Sequence, residues 1–148
     1  MSDVMIATDL SSFAETVIRT GLELADKMNA SVTLFSVVEL GIGIGLPEGG
    51  PVFTDDIPSR IKEVEERLEA YKQLFPDKQH LNINILVAAG NPKNETLAVA
   101  HQNNATVLVV GTHGRTGLDH MLLGSTAEYI IRHSRIPVLV VPYNKSEH

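Results

Sequence analysis

The 148-residue chain has no cysteine and no tryptophan, and only 5% of it is aromatic. Without a thiol, neither disulfides nor thiolate metal sites can form, which suits a reducing cytoplasm. No apolar run approaches the roughly 18 residues that a membrane-spanning helix needs, and the opening MSDVMIATDL lacks the basic and apolar regions of a secretion signal. Cations are scarce too: 12 Lys and Arg against 18 Asp and Glu give a formal charge of -6. Non-specific nucleic-acid binding rests on many Lys and Arg contacts to phosphates, so that class is disfavoured and any anion must be held locally.

Several catalytic signatures are absent as well. There is no G-x-x-x-x-G-K-[ST] and no lysine in the glycine-rich stretch that ends at Ser125, which argues against a P-loop phosphotransferase. The glycines at 41, 43, 45, 49 and 50 fail the G-x-G-x-x-G pattern, because the third glycine falls on Leu46 or Glu48. Ser125 does not sit in a G-x-S-x-G elbow. His113, His120 and His133 have neither thiolate partners nor a recognisable ligand spacing, and read as surface histidines rather than a zinc site.

What is present is a regular alternation, with 43% hydrophobic residues, enough for one core. Val4–Ala7, Val32–Val38, Ile83–Val87, Val107–Val110 and Ile136–Pro142 are short apolar runs of strand length. Between the first two, Ala14, Val17, Ile18, Gly21, Leu22, Ala25 and Met28 recur at helical steps behind a capping box of Ser12 and Glu15. Ile57, Ile61, Val64, Leu68, Tyr71 and Phe75 mark a second helix. Asn91 and Pro92 open a third, as N-cap and first helical residue, running to about Asn103, and a fourth spans Thr126 to about His133. Nearly pure apolar strands alternating with helices call for a parallel sheet covered on both faces. The expected fold is therefore α/β, a Rossmann-like single domain over 1–148, with five strands in the order 3-2-1-4-5. Residues 39–58 are a long Gly/Pro-rich loop, either a lid or partner-contacting excursion or a plain insertion, and 143–148 form a tail.

In such a sheet, ligands bind beyond the carboxyl ends of the strands where the winding reverses. Two stretches lie there, Ala7-Thr8-Asp9 after the first strand and Gly111–Ser125, GTHGRTGLDHMLLGS, after the fourth. Glycines at 111, 114, 117 and 124 allow positive φ and close backbone approach. Ser125 and Glu128 read as a capping box, so a helix starts at Ser125 and its free N–H groups offer a seat for phosphate. Asp9 either meets the ligand or caps its own turn, Ser125 can both cap and bind, and Arg115 is either a phosphate contact or a solvated charge.

The spacing Gly111-x2-Gly114-x9-Gly124-Ser125 resembles the nucleotide-binding signature of the universal stress protein family, in its ATP-binding branch. Ala7-Thr8-Asp9-Leu10-Ser11, Phe35-Ser36-Val37-Val38-Glu39 and Gly90-Asn91-Pro92 resemble that family's first strand, second strand and third turn, so the resemblance spans nearly the whole chain. It implies an adenine nucleotide α hydrolase-like fold binding ATP, AMP or ADP, with Mg²⁺ or Mn²⁺ on the phosphates, in a regulatory homodimer with at most slow hydrolysis. It further implies that Asp9, beside Ala7 and Thr8, contacts the ribose or adenine end and that the Val37 backbone meets the adenine edge. Val110 and Gly111 would floor the pocket, while Gly114, Gly124, Ser125 and Thr126, with His113 and Arg115 beside them, would surround the phosphates. Val138–Val141 would be an exposed apolar edge that dimerisation covers. The rival readings are an adenylating enzyme, which the lack of an S-G-G-x-D-S-like loop opposes, and an interaction protein of the same fold without a nucleotide.

Overall fold

The computed structural model describes residues 2–40, 56–112 and 123–142. Its strands are β1 (Asp3–Ala7), β2 (Ser31–Glu39), β3 (Ile83–Gly90), β4 (Val107–Gly111) and β5 (Val138–Val141), and its helices α1 (Ala14–Met28), α2 (Ile57–Gln73), α3 (Pro92–Gln102) and α4 (Ser125–His133). The strands form one parallel sheet, as the apolar runs predict, and its order, β3-β2-β1-β4-β5, is the expected one. Burial explains the order. β2 is buried from Val32 to Val38 because helices cover both its faces, whereas β3 and β5, at the edges, are mostly half-exposed.

Side chains alternate between two cores. Val4, Ile6, Val32, Leu34, Val109 and Val141 pack with α1 and with Leu68 of α2. Met5, Phe35, Val37, Leu108 and Val110 turn the other way, onto Leu97 and Ala100 of α3 and Ile130 of α4. The chain winds from β1 through α1 and α2 on one face, then returns across the sheet to β4 with α3 and α4 on the other. The reversal therefore falls between β1 and β4, which pair directly, Ile6 opposite Val109. Gly21 brings α1 close to β1: a Cβ there would stand 2.5 Å from Cδ1 and Cγ1 of Ile6.

Several boundaries depart from the sequence reading, each for a local reason. α2 stops at Gln73, not Phe75, because a residue before proline avoids the helical region; Phe75 adopts φ -123 and ψ 71 ahead of a 3₁₀ turn, Pro76–Lys78, yet stays buried in the α1 and α2 core. The 39–58 loop is shorter than expected at both ends, with Glu39 closing β2 and Ile57 and Pro58 opening α2, where proline in a first helical turn lacks only an N–H that would be unpaired anyway. Its middle, 41–55, and the tail, 143–148, lie outside the described residues. Asn91 caps α3 as expected, its side chain accepting from the Lys93 N–H at 3.2 Å. Neither predicted capping box forms: α1 begins after Phe13 rather than Ser12, and α4 begins at Ser125 with Gly124 as its cap.

Candidate functional site

The β1 exit is a turn closed by its own side chains. Thr8 Oγ1 accepts from the Leu10 N–H at 3.1 Å, Asp9 Oδ1 from the Ser11 N–H at 3.0 Å, and Ser11 Oγ from the Phe13 N–H at 3.3 Å. Ser11 thereby takes the role expected of Ser12: its carbonyl also accepts from the Ala14 N–H at 3.0 Å, so the start of α1 is tied to the turn. Leu10 sits at φ 61, a left-handed conformation uncommon outside Gly, Asn and Asp. Three things hold it there: its side chain is buried against the α1 and α2 core, Thr8 takes its N–H, and Arg67 of α2 donates to its carbonyl at 3.2 Å. The Thr8 carbonyl accepts in turn from Ser36 Oγ of β2 at 2.6 Å.

The corner before α4 is built otherwise. Gly124 is extended, φ -69 and ψ 158, and its carbonyl accepts the first helical bond, from the Glu128 N–H at 3.0 Å. No side chain caps the helix. The N–H groups of Ser125, Thr126 and Ala127 thus carry the positive end of the α4 dipole without an intrahelical acceptor. The Gly124 N–H bonds the Thr112 carbonyl at 2.7 Å, and the Thr112 N–H bonds Val141 at 3.0 Å, which seats the corner beside the ends of β4 and β5. Positive φ plays no part at Gly124, nor at Gly111; among the described residues the positive-φ glycine is Gly90, at the end of β3. What Gly124 contributes is the absence of a side chain.

Between these two structures lies a cleft of about 390 Å³. Ala7, Thr8, Asp9, Val37, Val110, Gly111, Gly124, Ser125 and Thr126, all expected at the site, line it together. His113, Gly114 and Arg115 lie outside the described residues, as does His120, while the His133 ring packs at 4.3 Å from that of Tyr129. Phe35, Ala127 and Ile130 supply apolar wall, and Ser36, Glu39, Pro92 and Thr96 enclose the end nearest β2 and α3. Thr96 was missed because α3 precedes β4, and only the crossover to that strand brings the helix over the cleft. A signal existed: Thr96 is four residues before Ala100 on the buried side of α3, where a polar residue stands out.

The cleft is thus apolar within and polar at its rim, with Asp9 on one side and the electropositive tip of α4 on the other. Among the described residues that line it, Asp9 and Glu39 are the only ionisable ones. The resolved titration shifts lie at the opposite edge of the sheet, near the C-terminus of α1. His80 Nε2, 2.8 Å from Asp26, holds that carboxyl below the ordinary range, and Lys78 likewise holds Asp77 down while being raised itself by Asp77.

The model of the universal stress protein family matches residues 1–142. The chain belongs to that family. Universal stress protein MJ0531 of Methanocaldococcus jannaschii is 32% identical to it over 145 residues, covering 97% of this chain and 84% of that one. The solved structure of MJ0577, a universal stress protein of the same organism, superposes with a TM-score of 0.81 at 24% identity and covers 97% of both chains. A universal stress protein of Archaeoglobus fulgidus, solved in complex with dAMP, gives a TM-score of 0.62 at 24% identity over 95% of this chain and 97% of that one. At such identities the structural likenesses speak for the fold.

Proposed function

We propose that this universal stress protein is an ATP-binding regulatory module whose nucleotide lies in the cleft between β1 and β4. The observation that carries the reading is the uncapped first turn of α4, facing the Asp9 turn across an apolar cleft. The phosphates sit on Gly124, Ser125 and Thr126, completed by Gly114, His113 and Arg115 from the glycine stretch. Val110 and Gly111 floor the site, Asp9 takes the ribose or adenine end beside Ala7 and Thr8, and the Val37 backbone meets the base edge. A relative of the same fold solved with dAMP supports this class of ligand.

Mg²⁺ or Mn²⁺ enters with the phosphates, because among the described residues no three acidic or histidine side chains are grouped to hold a metal by themselves. Hydrolysis is slow at most: Asp9 meets the ribose or adenine end rather than the phosphates and already accepts a hydrogen bond of its own turn. The module works in the cytoplasm as a homodimer joined through β5, whose apolar edge pairs only with β4 within the sheet. Sedimentation at a monomer's mass would remove the dimer without touching the nucleotide.

ATP titration of wild type against Gly124→Val tests the site. A branched side chain at the cap obstructs two charge-assisted N–H contacts of about 1.5–3 kcal/mol each, which predicts roughly 100-fold weaker binding. Equal affinities, or no binding by either protein, would overturn the reading, and mass spectrometry of nucleotide released from freshly purified protein identifies the occupant directly.

A further inference from the structure

Four polar side chains are buried among the described residues: Thr8, Thr33, Ser36 and Thr96. Three have partners. Thr33 donates to Asp3 at 3.1 Å, Ser36 to the Thr8 carbonyl at 2.6 Å, and Thr8 accepts from Leu10 at 3.1 Å. Thr96, only 4% exposed, has no hydrogen-bond partner among the described residues. Its neighbours on the chain do not explain this. A helical threonine commonly satisfies its hydroxyl on the carbonyl one turn back, as Thr20 of α1 does on Thr16 at 2.9 Å, but Thr96 makes no such bond to Pro92. Burying an unsatisfied hydroxyl costs about 1–3 kcal/mol, so such groups are rare in folded proteins and call for a reason.

The reason lies in what Thr96 faces. It lines the cleft from α3, with Pro92 of the same helix and Ser36 and Val37 of β2 in the same wall. Phe35 and Val37 of β2 give that wall its apolar surface, and the Ser36 hydroxyl there is already spent on the Thr8 carbonyl. A pocket of this kind selects its ligand through a few placed polar groups on apolar walls. Resting on the nucleotide reading above, we infer that the Thr96 hydroxyl reads the base, hydrogen-bonding a polar atom on the edge of the heterocycle and setting which base is accepted. A hydroxyl both donates and accepts, so it can meet an exocyclic amino group or a ring nitrogen. A site built to hydrogen-bond its ligand discriminates strongly against an analogue that leaves the buried group unpaired.

The test compares wild type, Thr96→Val and Thr96→Ser in titrations with ATP and with inorganic triphosphate, which reaches the phosphate corner but has no base. Thr96→Val keeps the shape and removes the hydroxyl. It is expected to weaken ATP about tenfold, leave triphosphate affinity unchanged and leave Tm level or raised, while Thr96→Ser restores ATP binding. Unchanged ATP affinity in Thr96→Val, an equal loss for ATP and triphosphate, or a fall in Tm revealing an internal partner would each overturn the assignment. Wild type that binds ATP while Thr96→Val binds it equally sinks only the role of Thr96; wild type that binds no ATP removes the nucleotide reading and this inference together.

Discussion

The two sides of the cleft are opposite solutions to one problem, how to end a strand and begin a helix. At the β1 exit, hydroxyls and a carboxylate of Thr8, Asp9 and Ser11 take up the N–H groups of the turn, and Ser36 and Arg67 take two of its carbonyls. At the start of α4, a glycine stands where a capping side chain would, and among the described residues no side chain takes the donors of the first turn. A wall whose backbone groups are satisfied internally is rigid and holds its side chains in a fixed aim. A helix start whose donors lack an intrahelical acceptor suits an anion. The contrast separates substitutions that cost stability from those that cost binding.

Ser36→Ala should have the largest effect on the satisfied side. It leaves the buried Thr8 carbonyl without its 2.6 Å donor, at about 1–3 kcal/mol, and a domain of this size loses roughly 2–4 °C of Tm per kcal/mol. Calorimetry that shows no fall in Tm would mean that the wall does not depend on this bond. Ser125→Pro probes the open side. Proline is accommodated at the first helical position, and Gly124 before it is already extended, so Tm should hold within about a degree. One donor is lost, and ATP should bind roughly tenfold more weakly, beyond any effect of Ser125→Ala. Equal binding by the Pro and Ala variants would show that this N–H carries no phosphate.

The smallest effect lies outside the cleft and serves as the control. A carboxyl held below its ordinary value stabilises the fold above its unfolded pKa, and the contribution is lost as pH falls through the lower folded value. Asp26 is of this kind, chiefly through His80. Asp26→Asn should therefore lower Tm slightly at neutral pH, with the gap to wild type closing in acid below the ordinary carboxylate range and ATP affinity unaffected throughout. A gap that widens in acid would reverse the sign assigned to this pair.

Much of this architecture was legible in the chain because continuous apolar strands and helical spacings of Leu, Ile and Val report burial directly. Asp9 and Gly124 could share a ligand only if the first and fourth strands were neighbours; the family resemblance implied that order, and β1 does pair with β4. What escaped was set by contacts between residues distant in sequence. Ser12 reads as the cap from its spacing to Glu15, but the left-handed Leu10 turns the chain so that it is Ser11 Oγ that accepts, from the Phe13 N–H. Ser125 looked like a cap because its hydroxyl suits one, while the extended Gly124 moved the helix start by one residue. Phe75 kept its burial but lost its helix to Pro76. Thr96 passed unnoticed although it shares the buried side of α3 with Ala100, because the lack of a partner for its hydroxyl is visible only in the fold.

Leu10 joins recognition to folding. Its side chain is anchored in the same cluster as Val17, Ile18 and Leu68, while the residue before it carries the carboxylate that faces the cleft. The aim of that carboxylate is therefore inherited from how well a hydrophobic interior closes several residues away. Loosening that interior, even short of unfolding, would let the carboxylate swing, so on the proposed function nucleotide affinity would register the state of the core.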